Sequence, residues 1–184
     1  MRKVVLYIAM SLDGYVADKE GGVEWLGGRS DEGDDQESYE AFVKEVDTVI
    51  LGWNTYRQVT EELSPDQWVY ENLTSYVITH RDCEDKNNLF FVNETPESLV
   101  RALREKEGKD IWICGGASIV QQLVRADLID EYDISVIPVI LGGGLRLFEE
   151  IGHERKLWLK GTKTYNGIAE LIYERRKETE EFHP

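Results

Sequence analysis

Three stretches of this chain place small, capping or cationic residues directly after an apolar run, an arrangement able to receive a phosphorylated ligand. In Ile113-Cys114-Gly115-Gly116-Ala117-Ser118, two glycines leave no side chain between backbone amides and an incoming diphosphate. In Ile50-Leu51-Gly52-Trp53-Asn54-Thr55-Tyr56, Gly52 permits a close turn, and Asn54 or Thr55 is suited to begin a helix with outward-facing amides. In Thr79-His80-Arg81, polar and cationic groups follow a strand end and could take a dianionic phosphate monoester. Each has a plainer reading alone: a glycine turn with a helix cap, an αβ turn, a solvated arginine. The Gly-Gly pair completes neither G-x-G-x-x-G nor a Walker loop.

A fourth stretch, Ser11-Leu12-Asp13-Gly14-Tyr15-Val16-Ala17, interrupts an apolar run with a carboxylate and a glycine, with Trp25 nearby. It could floor a pocket, and an Asp-Gly turn accounts for the same residues. His80, His153 and His183 have no ligand spacing, and no Ser/His/Asp or Cys/His arrangement is present, so hydrolytic and zinc chemistry are disfavoured. Cys83 and Cys114 form no CxxC and no disulfide framework, which fits a reducing cytoplasm. No metal site is expected.

The elements that must position these stretches read as strand and helix in alternation. Apolar runs at Val4–Met10, Thr48–Leu51, Tyr76–Thr79, Leu89–Val92 and Ile111–Cys114 suit strands covered on both faces of a mostly parallel sheet. Helical patterns lie at about Glu37–Glu45, Thr55–Leu63, Pro96–Glu107 and Ala117–Ala126. Thr95 can cap the third helix, Pro96 suits its first position and Gly108 is expected to end it. A longer strand pattern, Tyr132–Leu141, precedes Gly142-Gly143-Gly144. Lys156–Tyr165 and Ile168–Arg175 flank Asn166-Gly167, a strong antiparallel hairpin pattern at one edge of the sheet. The fold class is therefore α/β, with one domain over residues 1–177 and an acidic tail over 178–184.

Composition bounds the partners. The 184 residues carry 36 acidic and 21 basic side chains, a formal charge of -15, so nucleic acid and anionic membrane surfaces are repelled in the absence of a basic patch. The same field opposes an anionic cofactor at long range, so a phosphate site here must rest on local amides and one or two placed cations. No run approaches the roughly 20 apolar residues of a membrane span.

Taken in order, Ser11–Ala17, Leu51–Tyr56, Gly115-Gly116-Ala117 and Ile137-Pro138-Val139-Ile140-Leu141-Gly142-Gly143-Gly144 resemble the motifs of the dihydrofolate-reductase-like family, in the branch of the riboflavin-biosynthesis deaminase-reductases. The resemblance runs from about residue 3 to 176. It implies a three-layer fold, a homodimer, and NADPH across the carboxyl edge of the sheet. Gly52, Asn54 and Thr55 would meet the diphosphate from one side and Gly115, Gly116, Ala117 and Ser118 from the other. Thr79, His80 and Arg81 would surround the 2'-phosphate, and Ala9 and Val16 would border the nicotinamide. A heterocyclic substrate would sit against Asp13, Trp25, Tyr39 and Phe42, and the proton would come from Asp13, Asp35 or Glu37.

Two departures from the family pattern bear on function. No H-x-E with P-C-x-x-C signature is present, so deamination by that route is not expected. Trp53 stands where many relatives have arginine in Gly-x-x-Thr, removing a cation near the phosphates. The leading expectation is NADPH-dependent reduction of a pyrimidine- or pterin-like substrate, as in 5-amino-6-(5-phosphoribosylamino)uracil reduction. Dihydrofolate or general carbonyl reduction, and a non-catalytic ligand-binding module, are the alternatives.

Overall fold

The computed structural model describes residues 1–27 and 36–176, with only the helical backbone at residues 36 and 37. A twisted sheet is built from β1 (Val4–Ser11), β3 (Val46–Gly52), β4 (Thr74–Ile78), β5 (Leu89–Val92), β6 (Asp110–Gly115), β7 (Glu131–Ile137), β9 (Leu157–Tyr165) and β10 (Ile168–Arg175). Its order is β5-β4-β3-β6-β1-β7-β10-β9. The first six strands in that order are parallel, and β10 and β9 close one edge antiparallel. A short ribbon pairs β2 (Tyr15–Ala17) with β8 (Leu145–Arg146), which the sequence patterns did not indicate.

Strand parity sorts side chains between two layers. Val4 and Leu6 of β1 join Ile50, Ile111 and Ile113 in a core beneath α3 (Pro96–Arg104) and α4 (Ala117–Arg125). Tyr7 and Trp112 face the other layer, where α1 (Gln36–Glu45) lies with Phe42 packed against them. This double covering explains the near-continuous apolar strands.

Several expected boundaries move for physical reasons. β7 stops at Ile137, because Pro138 has no amide to continue the ladder and the Val139 amide turns back to the Ile137 carbonyl at 2.7 Å. α3 is capped by Thr95 as expected, its hydroxyl accepting from the Ser98 amide, but it ends at Arg104. Gly108 lies beyond the helix at φ +152, where a Cβ would come within 2.6 Å of the Asp47 carboxylate. α2 starts at Trp53 and runs to Gln58, then loosens into a π-helical turn over Val59–Leu63. Asn166 (φ 46) and Gly167 (φ 72) both take the left-handed conformation that a tight hairpin demands.

The amino edge is locked by ions. Asp130 accepts from the Val4 amide, Arg104 and Arg175, while Arg2 pairs with Asp47 and reaches Thr48. No helix among the described residues is long and apolar enough to cross a membrane.

Leu6 is 0% exposed in the layer under α3 and α4. Leu6→Ala should cost about 2–5 kcal/mol of stability. Urea unfolding should show a lowered midpoint at unchanged slope.

Candidate functional site

β1, β6, β3 and β4 lie side by side and parallel, so the residues after each strand meet at one edge of the sheet. Ligands of open α/β sheets bind there. The two glycine junctions follow the neighbouring strands β3 and β6. A Cβ on Gly116 would lie 3.3 Å from Thr55 Oγ1, and one on Gly52 would lie 3.3 Å from Ile119 Cδ1 and 3.6 Å from the Gly116 amide nitrogen. Glycine at both positions therefore leaves a cradle with a backbone floor between two helix starts. The Gly115–Gly116 peptide is cis. Gly116 is also the N-cap of α4 and supplies no side chain to that cap.

The structure refines the expected roles. Gly52, and neither Asn54 nor Thr55, is the N-cap of α2. Asn54 is exposed, and the Thr55 hydroxyl is turned toward Gly116. Ala117 is buried at 1% exposure, so only its backbone can face a ligand, while Ser118 stays exposed with its hydroxyl near the Gln122 amide. At the end of β4, Thr79 is buried and its hydroxyl accepts from the Arg81 amide. His80 Nδ1 lies 2.6 Å from Asn93 Oδ1. The Arg81 guanidinium stacks 4.9 Å from the centroid of the Trp53 ring. The residue that replaces a cation thus holds another over its face.

Asp13 is displaced from the role of proton donor. Its carboxylate accepts from the Ser11 hydroxyl at 2.7 Å, from the Leu141 amide at 3.1 Å and from the Gly142 amide at 2.8 Å. The Ser11 hydroxyl first, then the Gly142 and Leu141 amides, hold its pKa below the usual aspartate value. An ionised acceptor has no proton to give, so Asp13 anchors the glycine-rich turn after β7. Asp35 lies outside the described residues, as does the side chain of Glu37.

The segment carrying Trp25 crosses above this edge. Asp18 gathers the Glu20 and Gly22 amides into a turn, Gln58 beyond β3 holds the Gly21 carbonyl at 3.1 Å, and Asn166 at the β9–β10 turn reaches the Gly27 carbonyl at 3.4 Å. Trp25 sits between those two ties in a 3-10 turn, its indole N–H donating to the Gly22 carbonyl. Val16, in the β2 ribbon, packs against the α3–α4 side of the core. Ala9 faces α1, the layer that also holds Tyr7.

The α1 layer is aromatic at its centre. Phe42 stacks on Tyr7 at 4.2 Å and meets Trp112 edge-on, so that face of its ring is already covered. Tyr39 is 40% exposed and is the more available of the two for a ligand. Cys114, expected only as part of a glycine turn, lies 3.5 Å from the Tyr70 hydroxyl. Burial pushes its thiol up to about 11, which removes it as a nucleophile.

The model of the RibD C-terminal domain matches residues 2–169. The chain belongs to the RibD C-terminal domain family. It is 43% identical over 175 residues to YwjB of Bacillus subtilis (strain 168), an uncharacterized protein, covering 95% of this chain and 98% of that one. Its structure is similar to a Shewanella sp. PV-4 protein assigned by its name to riboflavin biosynthesis, with TM-score 0.82, 28% identity, and coverage of 95% and 99%. Dihydrofolate reductase from Enterococcus faecalis, solved with NADP(H), shares the fold alone at TM-score 0.59 and 17% identity over 95% of this chain and 97% of that one.

In this RibD-type domain one group of residues escaped the sequence reading. Ala9 of β1 is paired with Ser135 of β7, Ser135 with Glu170 of β10, and Glu170 with Lys163 of β9, so four strands contribute one continuous row. Glu170 is 0% exposed and its carboxylate meets Lys163 Nζ at 2.8 Å, Ser38 of α1 and Tyr165. Tyr165 in turn lies 3.4 Å from the Ser135 hydroxyl. Asp133 flanks the row, opposite Tyr7. The available clue was an acidic residue between apolar neighbours in two strand patterns, Tyr132-Asp133-Ile134 and Ala169-Glu170-Leu171.

Asp13 supplies the pH-dependent tie of this edge. Since its folded pKa is depressed, the tie is complete above the ordinary aspartate range and is lost as pH falls through the lower folded value. The Leu141 and Gly142 amide resonances should titrate together in that acid range. Asp13→Asn should abolish that titration.

Proposed function

We propose that this chain is an NADPH-dependent reductase acting on a C=N or C=O group of a pyrimidine- or pterin-like heterocycle. The observation that carries the reading is the backbone-floored cradle where Gly52, Thr55 and Gly116 converge beside the Arg81–Trp53 stack. A diphosphate needs close approach to unencumbered backbone, and a 2'-phosphate needs a held cation. Adjacent strand ends offer features suited to both, and their local character fits a chain of net charge -15. Family membership and the riboflavin-related name of the Shewanella neighbour support the same reading.

The bound dinucleotide would supply hydride, and the chain's own residues would do the rest. Gly52, Thr55, Gly116 and the first turn of α4 would bind the diphosphate. Arg81, restrained by Trp53, would recognise the 2'-phosphate. Ala9 would border the ring above β1, and the segment from Asp18 to Gly27 would exclude water from it. Tyr39 and Trp25 would bound the substrate.

Binding of NADPH and NADH, followed separately by quenching of tryptophan fluorescence, tests this reading. NADPH should bind more tightly, and Arg81→Ala should weaken NADPH by roughly 10–100-fold, as expected for a lost charge-assisted hydrogen bond, with little effect on NADH. Trp53→Ala should reduce the same preference by less, because it frees the arginine without removing it. Absence of binding by either nucleotide would favour a non-catalytic module.

A further inference from the structure

Asp133 is a buried carboxyl group with an unpartnered oxygen. It points into the α1 layer from the middle of β7, is only 9% exposed, and its Oδ1 has no hydrogen-bond partner. It lies opposite Tyr7 and two residues before Ser135, the partner of Ala9, which would border the nicotinamide ring in the reductase reading. We propose that Asp133 is the acid that protonates the substrate heteroatom during reduction, and that the Glu170–Lys163 ion pair beside it determines when it holds that proton. This inference rests on the reductase reading.

The surroundings favour the protonated form from almost every side. Glu170 approaches from β10 and Glu131 from β7 itself, both raising the cost of a second negative charge. From β9, Lys163 opposes them, yet its ammonium is bound to the Glu170 carboxylate and to the Ser38 hydroxyl of α1. Tyr165 of β9 turns to Glu170 and Ser135, and Tyr7 of β1 is an un-ionised phenol raised by its own burial. Burial first, and Glu170 second, push the Asp133 carboxyl up to about 7. An acid so placed carries a proton at neutral pH and can release it.

The step balances without a further reactant. As the substrate carbon accepts hydride from the reduced nicotinamide, the π pair of the C=N or C=O bond moves onto the heteroatom. That atom takes the proton of Asp133 directly or across one bridging water. Asp133 becomes a carboxylate, the nicotinamide becomes oxidised, and solvent returns a proton to Asp133. The unpartnered Oδ1 is the atom free to carry that proton and donate it to the substrate heteroatom or to the water.

Two measurements decide the matter. Infrared titration of the nucleotide-free protein should show a protonated-carboxyl C=O band that is present in acid and lost as pH rises through about 7. Asp133→Asn should remove the band, and Glu170→Gln, which deletes a like charge, should move its loss to lower pH. Calorimetry in buffers of different ionisation enthalpy should then find that NADP+ releases a fraction of a proton that NADPH does not. The positive charge of an oxidised ring beside Ala9 would favour the Asp133 carboxylate, as the neutral reduced ring would not, and the difference should vanish in Asp133→Asn. Absence of the band, or a difference in proton release that survives Asp133→Asn, overturns the proposal even if NADPH binds. Failure of both nucleotides to bind overturns the reductase reading and the acid's role with it, while the band still reports whether Asp133 holds a proton.

Discussion

The close approach of two backbones at the ends of β3 and β6 is the constraint around which the rest is arranged. A Cβ on Gly52 would press on Ile119 Cδ1 and one on Gly116 on Thr55 Oγ1, both at 3.3 Å, so glycine at both positions keeps open the junction from which α2 and α4 start. Parallel pairing of β3 with β6, and of β6 with β1, places both starts on the edge where β1 ends. A side chain at either glycine would fill the cradle. The two hydrophobic layers keep the strands in register, and the ion cluster at the opposite edge holds β1, α3 and β10 together around Asp130.

Charge distribution follows from that geometry. A chain with net charge -15 gives an anionic ligand no long-range attraction, so recognition must be local. The Arg81 guanidinium is held against Trp53, which limits its rotamers and keeps the cation beside the cradle. Asp13 does the complementary work on the other side of β1. Its carboxylate gathers amides of the turn after β7 and so is unavailable for proton transfer.

The α1 layer is divided between an aromatic half and a polar half. Tyr7, Phe42 and Trp112 fill the first by ring contacts, and the row from Ser135 to Lys163 fills the second by hydrogen bonds. A buried carboxylate such as Glu170 is tolerated only when charge-paired and hydrogen-bonded, and Lys163, Ser38 and Tyr165 meet both conditions. Asp133 meets neither at Oδ1, and burial with Glu170 nearby pushes its carboxyl up to about 7.

The sequence by itself determined the α/β class, the strand-helix alternation, the Asn166-Gly167 hairpin, the Thr95 cap and the glycine junctions, because each rests on local periodicity or on backbone freedom at one residue. It misjudged the end of β7, where loss of the Pro138 amide outweighs apolar character, and the start of α2, where Gly52 takes the cap position. It also ranked Asp13 among the acids, since an Asp-Gly turn does not reveal that amides 128 and 129 residues away will claim the carboxylate. Only the tertiary structure decided that Arg81 meets Trp53, that Thr55 meets Gly116, and that Ala9, Ser135, Glu170 and Lys163 form one row. Those contacts depend on strand order and register, which are set by long-range pairing and have no local counterpart in the chain.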